Sequence, residues 1–410
     1  MDYVIIGNST AATFAIEGIR SVDREGKITV ISAENRPAYG RPLISYYLYG
    51  KIPLDRVDYR APSFYEDNKV EVLLGERAEK IDPAQKKVLL ADGKEIPYGR
   101  LLVATGSRPF LPPVEGLDGV KNQFTFMTMD DALALEKALS PEKRVLIVGA
   151  GLIGLKCAEG IFDRVKSVTV VDMATRILPS ILDEEGAALV QSQLERKGLR
   201  FLLGDSAAKF TPGAAILKSG REVPFDVLVM AVGVRPNVEL VKDAGGEVRR
   251  GIAVDERQQT TLPDIYAAGD NCESYDTAAK ETRILAILPN AAQQGLVAGK
   301  AMTGDGARYA GGAAVNAIGF FGSHIATAGV YTGESYVERG EDCYKKLFYS
   351  DNVLKGFILV NRIERAGIYT SLIRDMVPLD SIDFERIKKD PALMVFSRER
   401  RTEKLNGGKK

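Results

Sequence analysis

The chain has 410 residues, enough for two or three domains that each bury a hydrophobic core. Its 55 Lys and Arg residues balance 55 Asp and Glu residues, so the net charge does not favour nucleic acid or a membrane surface as a partner. Three cysteines are too few for a disulfide framework, and no apolar run approaches the roughly 20 residues that a bilayer helix needs. A cytoplasmic protein without a leader segment is expected, because the first apolar strand already begins at Tyr3.

The chain opens with a short apolar run, Tyr3–Ile6, which predicts a strand of a parallel sheet buried on both faces. Residues 7–12, GNSTAA, follow and open a helix. They keep the first glycine of the G-x-G-x-x-G dinucleotide fingerprint but have Ser9 and Ala12 in place of the other two. Alone, this segment is compatible with a nucleotide site and equally with an ordinary strand–turn–helix connection.

A second copy of the pattern decides between these alternatives. Residues 149–154, GAGLIG, form an intact fingerprint after another apolar run. In each copy the next strand ends near an acidic residue, Glu34 or Asp172, where a carboxylate accepts hydrogen bonds from a ribose. Each half then closes with an apolar strand and a turn that contains Gly106 or Gly233. Two nucleotide sites are therefore predicted, with a pyrophosphate at the start of each helix.

The motifs occur in a fixed order along the chain. The ordered set is GNSTAA, Glu34 followed by YGRPLIS, LLVATGSRP, VGAGLIG, AVGVRPN and TTLPDIYAAGD. In this order it resembles the two-dinucleotide flavoproteins of the pyridine-nucleotide–disulfide oxidoreductase superfamily. Within that superfamily, YGRPLIS and the short C-terminal part resemble NADH:rubredoxin reductases, nitrite-reductase flavoproteins and the flavoproteins that accompany carbon-monoxide dehydrogenases.

The resemblance implies an α/β fold with two Rossmann-like dinucleotide-binding domains and a small α+β domain. An inserted NAD(P)H-binding domain interrupts the FAD-binding domain. The predicted boundaries are 1–111 and 233–310 for the FAD-binding domain, 112–232 for the NAD(P)H-binding domain, 311–396 for the C-terminal α+β domain and 397–410 for a polar tail.

By the same resemblance, the first fingerprint binds FAD. Glu34 is expected to bind the adenosine ribose, Asp270 the ribityl chain, and the helix that starts near Asn290 the flavin ring, where its positive end favours the anionic reduced form. The FAD-binding residues implied in this way are Gly7, Ser9, Thr10, Ala11, Ala12, Glu34, Arg41, Pro42, Ala78, Thr105, Gly106, Asp270, Asn290 and Ala291.

The second fingerprint is implied to bind NADH. The carboxylate of Asp172 favours NADH over NADPH because it repels a 2′-phosphate, and the nearby Arg176 softens this preference. The residues implied for this site are Gly149, Gly151, Leu152, Ile153, Gly154, Asp172, Arg176 and Gly233.

No catalytic side chain and no metal site are predicted. Relatives that reduce disulfides carry redox cysteines shortly after the acidic strand end, but residues 34–51 of this chain contain none. Electrons are therefore expected to leave the flavin directly and singly, which suits an iron–sulfur acceptor. Structural roles are expected for the remaining candidates, Cys157, Cys272, Cys343 and His324.

The predicted function is electron transfer from NADH through FAD to a rubredoxin, a ferredoxin or a similar iron–sulfur protein. A homodimer is one assembly left open for the chain. Two alternatives stay open: NADH oxidase activity toward oxygen, and an NADH-sensing flavoprotein without turnover. An acidic acceptor is expected to dock on basic residues of the C-terminal part, for example Lys345, Lys346, Arg362, Arg365 and Arg374.

Two positions depart from the family pattern. Tyr46 stands where related ferredoxin reductases have a lysine, and Lys156 stands where many members have a glutamate. Either change could alter the flavin potential or the placement of the nicotinamide, and the sequence leaves open which.

Overall fold

The computed structural model describes residues 1–392 together with residues 394, 396 and 402. The polar tail predicted for 397–410 lies outside the described residues, apart from residue 402. The described chain forms two compact units. The first comprises Met1–Met173, Arg200–Asp276 and Glu281–Gly312; the second comprises Ala174–Leu199, Thr277–Lys280 and the described residues from Ala313 onward.

The helices are, in chain order, α1 Thr10–Arg20, α2 Leu43–Leu48, α3 Phe64–Asp67, α4 Met129–Ala138, α5 Leu152–Ile161, α6 Glu184–Arg196, α7 Glu239–Asp243, α8 Leu288–Met302, α9 Ala366–Arg374 and α10 Phe384–Lys389. The strands are β1 Asp2–Ile6, β2 Lys27–Ser32, β3 Val70–Leu74, β4 Ala78–Asp82, β5 Lys87–Leu90, β6 Glu95–Pro97, β7 Arg100–Val103, β8 Ser107–Pro109, β9 Gln123–Phe124, β10 Arg144–Val148, β11 Ser167–Asp172, β12 Arg200–Leu203, β13 Ala207–Thr211, β14 Ala214–Leu217, β15 Glu222–Pro224, β16 Val227–Met230, β17 Val234–Pro236, β18 Ile265–Ala267, β19 Ser274–Asp276, β20 Glu281–Arg283, β21 Val315–Phe320, β22 Ser323–Gly329, β23 Glu334–Arg339, β24 Tyr344–Ser350 and β25 Val353–Val360.

The first unit contains two parallel five-stranded sheets with the strand orders β18-β7-β1-β2-β3 and β12-β11-β10-β16-β9. In both, the strand before a fingerprint lies at the centre of the sheet, where the strand order reverses and ligands of such folds bind. An antiparallel three-stranded meander follows each sheet's outer strand, β4-β5-β6 in the first half and β13-β14-β15 in the second. The predicted α/β class and its internal duplication are confirmed.

Strand β1 illustrates why the first sheet is buried on both faces. Tyr3 and Ile5 belong to one hydrophobic cluster, whereas Val4 and Ile6 belong to another. Successive side chains of a strand point to opposite faces, so an uninterrupted apolar run supplies both cores. The sequence prediction for this strand is confirmed.

Helices α1 and α8 of the first unit pack at very short range. A β-carbon at Gly295 would lie 2.1 Å from the carbonyl oxygen of Ala11, and one at Gly299 would lie 2.2 Å from that of Ala15. Glycine at both positions is therefore required for α8 to lie against the helix of the first fingerprint. This contact joins two segments that are almost 300 positions apart in the sequence.

The second unit is built on an antiparallel sheet with the strand order β21-β22-β25-β24-β23. Helix α9 packs on it through Tyr369 and Leu372, which share a hydrophobic cluster with Leu347 and Phe357. Helix α6 also belongs to this unit, although it lies within the segment predicted as the NAD(P)H-binding domain. The predicted domain boundaries stay a prediction. No helix in the described part of the chain is both long and apolar enough to cross a membrane.

Lys345 of the second unit is buried, with 3% of its side chain exposed, so its predicted role in docking a partner is wrong. Its Nζ donates to the carbonyl oxygen of Lys389 at 3.0 Å and lies 3.3 Å from a carboxylate oxygen of Glu338. Lys389 is the last residue of α10, where a cation is favourable because the helix dipole is negative. Successive side chains of β24 point to opposite faces of the sheet, and that of Lys345 points inward. The number of basic residues in the segment does not reveal this.

Replacing Lys345 with alanine should destabilise the second unit. The change removes the donor at the end of α10 and leaves Glu338 with only Tyr336 and Arg362 as partners. We expect the free energy of unfolding to fall by about 2 kcal/mol, below the range for a fully buried pair because Glu338 keeps those partners. Thermal unfolding of the full chain measures the effect. Arg374→Ala is the control, since Arg374 is 64% exposed and paired with its neighbour, and equal melting temperatures for both variants would contradict the assignment.

Candidate functional site

Both fingerprint loops turn through a glycine that no other residue can replace. Gly7 has φ +111°, and a β-carbon there would lie 2.1 Å from the carbonyl oxygen of Ala104. Gly149 has φ +118°, and a β-carbon there would lie 2.2 Å from that of Ala231. Each glycine therefore lets its loop approach the end of the neighbouring parallel strand, which brings the following helix to the centre of the sheet.

Five helices in the described part of the chain have ten or more residues, and they begin in two different ways. Helices α4 and α6 carry side-chain caps: Thr128 accepts the N–H of Asp131 at 3.1 Å, and Asp183 accepts that of Gly186 at 3.0 Å. Helices α1, α5 and α8 have no side-chain cap and no acidic residue in the first turn. Their first N–H groups and positive dipole ends are open to an anion. These are the three helices predicted from the sequence to face the two pyrophosphates and the flavin.

The second and third fingerprint positions differ in what they require. A β-carbon at Gly151 would have no protein atom within 4 Å, whereas one at Gly154 would lie 2.0 Å from the carbonyl oxygen of Gly149. The second fingerprint position, Gly151, therefore faces open space, and the third, Gly154, serves close packing. In the first copy, Ser9 at the open position is half-buried and Ala12 at the packed position is fully buried. Ala12 contributes packing, and its burial keeps it from contact with a ligand.

The acidic residues at the two strand ends are held in different ways. Glu34 accepts a hydrogen bond from the Tyr39 hydroxyl at 2.6 Å and one from the Arg41 guanidinium at 2.5 Å. Asp172 accepts the backbone N–H of Ala150, within the second fingerprint, at 2.6 Å. Each carboxylate oxygen has further lone pairs, so both residues retain acceptor capacity for ribose hydroxyls.

Arg41 hydrogen-bonds to one residue of the predicted FAD site and acts electrostatically on a second. Besides Glu34, its guanidinium donates to the carbonyl oxygen of Met127 at 3.0 Å. Burial raises the pKa of the Asp270 carboxyl, and the positive charge of Arg41 opposes that rise. Arg41 therefore hydrogen-bonds to the residue predicted for the ribose, and its charge acts on the residue predicted for the ribityl chain. Together with the uncapped start of α1 and the open position at Ser9, this arrangement fits a bound FAD.

Two asparagines that were not predicted as site residues hold the Thr105-Gly106 turn. Asn237 donates to the carbonyl oxygen of Thr105 at 2.8 Å, while the Thr105 hydroxyl donates to the carbonyl oxygen of Asn237 at 3.0 Å. Asn271 donates to the carbonyl oxygen of Val103 at 2.9 Å and to the Thr105 hydroxyl at 3.1 Å. Asn237 is the last residue of the AVGVRPN motif and Asn271 directly follows TTLPDIYAAGD, and these positions are the signal that could have revealed them.

Helix α8 begins at Leu288, two residues before the predicted start. The Asn290 side chain is turned inward, donating to the carbonyl oxygen of Leu285 at 2.9 Å and accepting from the Tyr309 hydroxyl. The N–H of Ala291 already donates to the carbonyl oxygen of Ile287 at 3.1 Å. Any contact that Asn290 makes with a ligand therefore involves its backbone, and the N–H of Leu288 is a further donor at this helix start.

The remaining predicted site residues have varied positions. Thr10 and Ala11 lie buried in the first turn of α1, and Pro42 is an exposed residue at the start of α2. Ala78 pairs with Leu90 in the first meander. The structure places the others as follows: Leu152 and Ile153 in the first turn of α5, Gly106 and Gly233 in turns with positive φ, and Arg176 in the second unit, where its Nε donates to the carbonyl oxygen of Leu182 at 3.2 Å.

The cysteines are poorly suited to redox chemistry. Cys157 and Cys272 are buried, and burial raises the pKa of both thiols, that of Cys272 to about 12. A thiol in this state does not form the nucleophilic thiolate at neutral pH. Cys343 is half-buried beside the hairpin of β23 and β24, and His324 is exposed on β22. Among the described residues, no group of His, Cys, Asp and Glu is arranged to hold a metal ion.

The two positions that depart from the family pattern contact each other. The Lys156 Nζ lies 4.7 Å from the centre of the Tyr46 ring and 2.5 Å from a carboxylate oxygen of Glu159. Lys51 approaches the same ring to 5.5 Å. A cation over an aromatic face is attracted by the ring quadrupole, so α2 and α5 are joined by this contact. The two departures are thus parts of one arrangement between the YGRPLIS segment and the second fingerprint helix.

The duplicated sheets, the two fingerprint loops and the group around Arg41 define a two-dinucleotide oxidoreductase. The model of the pyridine nucleotide-disulphide oxidoreductase family matches residues 1–295. The chain is 33% identical to NADH-dependent phenylglyoxylate dehydrogenase subunit epsilon of Aromatoleum evansii over 396 residues, which cover 92% of this chain and 93% of the relative. It is 35% identical to an NADH oxidase of Methanocaldococcus jannaschii over 323 residues, 75% of this chain and 71% of the relative.

A solved structure supports the same assignment. The ferredoxin reductase for the CYP199A2 system of Rhodopseudomonas palustris is 27% identical, with a TM-score of 0.84 over 91% of this chain and 95% of that chain. The chain belongs to the pyridine nucleotide-disulphide oxidoreductase family. It is a flavoprotein oxidoreductase that uses FAD and NADH.

Asp172 should set the preference for NADH over NADPH. Its charge repels a 2′-phosphate, while its hydrogen bond to the Ala150 N–H holds the fingerprint loop. Asp172→Asn keeps an acceptor for that N–H but removes the charge. We expect the ratio of kcat/KM for NADH to that for NADPH to fall about tenfold, or about 1.4 kcal/mol, in this variant. Steady-state kinetics with both nucleotides measure it, and equal kcat/KM values in the wild type would contradict the role of Asp172.

The cysteines should be dispensable for turnover. Replacing Cys157, Cys272 and Cys343 together with alanine is expected to leave NADH-driven reductase activity within a few-fold, because two of the thiols are buried with raised pKa values. Activity is compared with bound FAD and with the melting temperature of the same samples. Loss of activity in a folded, FAD-loaded variant would show that a thiol takes part.

Proposed function

We propose that the protein passes electrons from NADH through FAD to a one-electron iron–sulfur protein of the rubredoxin or ferredoxin class in the cytoplasm. The observation that carries this proposal is the missing thiol relay: residues 34–51 contain no cysteine, and Cys157 and Cys272 are buried with raised pKa values. FAD, when bound, would supply the chemistry that the side chains lack, namely uptake of two electrons as hydride and their release one at a time. Without a thiol, the electrons leave from the flavin itself.

The chain's own residues bind and orient the two nucleotides in this proposal. The uncapped starts of α1 and α5 bind the pyrophosphates, while Glu34 and Asp172 accept hydrogen bonds from the ribose hydroxyls. Asp270 binds the ribityl chain, and Arg41 holds the Glu34 carboxylate at the ribose end. The uncapped start of α8 directs its positive end toward the flavin, which stabilises negative charge on the reduced ring.

The ferredoxin reductase of Rhodopseudomonas palustris supports the choice of acceptor, because it matches this chain over nearly its whole length. The basic residues predicted to dock an acidic acceptor give weaker support to this choice. Lys345 is buried, and the others each lie within about 3 Å of a carboxylate, in the pairs Lys346–Asp183, Arg362–Glu338, Arg365–Asp390 and Arg374–Asp375. Paired cations steer an acidic partner weakly, so we expect a small salt dependence of the rate.

A second candidate is an electron-transfer subunit of a larger NADH-dependent dehydrogenase. Subunit epsilon of the Aromatoleum evansii phenylglyoxylate dehydrogenase matches this chain almost from end to end. In this candidate the flavin exchanges electrons with another subunit of the complex. As in the first proposal, an iron–sulfur centre is the group that exchanges them. Purification of the native protein distinguishes the two: co-purifying subunits support the second, and a lone chain or homodimer supports the first.

The acceptor prediction is tested by comparing NADH-driven reduction of a rubredoxin, a ferredoxin, oxygen and ferricyanide by the FAD-loaded protein. We expect at least one iron–sulfur protein to be reduced about tenfold faster than oxygen, since a protein acceptor brings its metal centre to the flavin. Ferricyanide serves as the control for a reducible flavin. Oxygen turnover that equals the best protein acceptor would support an oxidase instead, as in the Methanocaldococcus jannaschii relative. Slow turnover with every acceptor would support an NADH sensor.

A further inference from the structure

Gln294 of α8 is fully buried and contacts the turn that carries Asp270. Its Oε1 accepts the backbone N–H of Gly269 at 2.8 Å, and the Cys272 thiol lies 3.7 Å from the same oxygen. Gly269 has φ +96°, a conformation that L side chains rarely adopt. The backbone of this turn is therefore held from α8 by one amide group.

The other half of that amide has no partner. In the described part of the chain, Gln294 Nε2 is buried without a hydrogen-bond acceptor. Burying an unpaired amide donor costs free energy, and a leucine or methionine would fill the same space without that cost. The glutamine is thus explained by its acceptor oxygen, because an apolar side chain would leave the N–H of Gly269 unpaired instead.

The turn is also held from its other side. Asn271 links it to the end of β7 through the carbonyl oxygen of Val103 and the hydroxyl of Thr105. The Cys272 thiol donates to the carbonyl oxygen of Gly269 at 3.4 Å. The turn therefore lies between the Thr105-Gly106 segment and α8, and Gln294 is its polar attachment to the helix.

We propose that Gln294 is a positioning residue for FAD, acting through the Gly269-Asp270 turn. A fully buried side chain does not itself touch a ligand, so its effect is to hold Asp270 in the orientation that binds the cofactor. Helix α8 already lies against α1 through Gly295, so Gln294 places Asp270 relative to both the first fingerprint and the flavin end of the site. This proposal rests on the FAD site described above but not on the identity of the electron acceptor.

The test compares Gln294→Met with Gln293→Met, which places the same residue at the neighbouring, solvent-exposed position of the same helix. FAD binding to the deflavinated full chain is followed by quenching of flavin fluorescence, and apo and FAD-loaded forms are melted in parallel. We expect the dissociation constant of FAD to rise about tenfold in Gln294→Met and less than twofold in Gln293→Met, as for loss of one hydrogen bond. The gain in melting temperature on adding FAD should shrink only in the first variant, and the absorption bands of its bound flavin should shift.

A purely structural role would lower the melting temperatures of the apo and loaded forms equally and leave the dissociation constant unchanged, and that result overturns the proposal. Gln294→Glu keeps an acceptor oxygen for Gly269 and should retain FAD affinity closer to the wild type. If the methionine variant fails to fold, a glutamate variant that folds but binds FAD more than tenfold weaker overturns the proposal as well. A wild type that binds FAD but reduces no iron–sulfur protein would refute the proposed acceptor and leave this test intact.

Discussion

The close approach of two loops to two neighbouring strands underlies the whole first unit. The carbonyl oxygens of Ala104 and Ala231 lie 2.1 and 2.2 Å from where the β-carbons of Gly7 and Gly149 would be, so each loop can pass only because it begins with glycine. That passage lets β1 and β10 lie at the centre of their sheets and directs α1 and α5 away from the strand ends. The helix starts, the acidic strand ends and the turns at Gly106 and Gly233 then meet at the same edge of each sheet. The same close approach, possible only with glycine, therefore occurs in both sheets of the first unit.

The longer helices fall into two groups, those with side-chain caps at their N-termini and those without. Side chains cap α4 and α6, which satisfies their first N–H groups within the protein. Helices α1, α5 and α8 lack such caps, and their stability depends on packing and on whatever anion reaches them. For α8 that packing is the glycine contact with α1, so the helix predicted to face the flavin is oriented by the helix predicted to face the pyrophosphate. This packing would join the two ends of the proposed FAD site.

Much of this could be predicted from the sequence, because the fingerprint loops, the acidic strand ends and the apolar strands are local patterns with local causes. Two nucleotide sites were predicted from these patterns, and the family resemblance that the ordered motifs carry implied the fold and the cofactors. What could not be predicted depends on contacts between distant segments. The inward turn of Asn290 toward Tyr309 and the hydrogen bond of Lys345 to the end of α10 require partners that no local pattern identifies. The same holds for Gly295, whose necessity becomes visible only when α1 is placed beside α8.

The contact between Tyr46 and Lys156 constrains how this chain can diverge from its relatives. Restoring a lysine at position 46 alone would place a second ammonium group near that of Lys156, and Lys51 already lies close by. Restoring a glutamate at position 156 alone would set a carboxylate beside Glu159, whose side chain is only 5% exposed. Either single reversion creates a like-charge pair in a poorly solvated place, whereas the double reversion exchanges one compatible pair for another. The two positions are therefore coupled, so the side chain tolerated at one of them depends on the charge at the other.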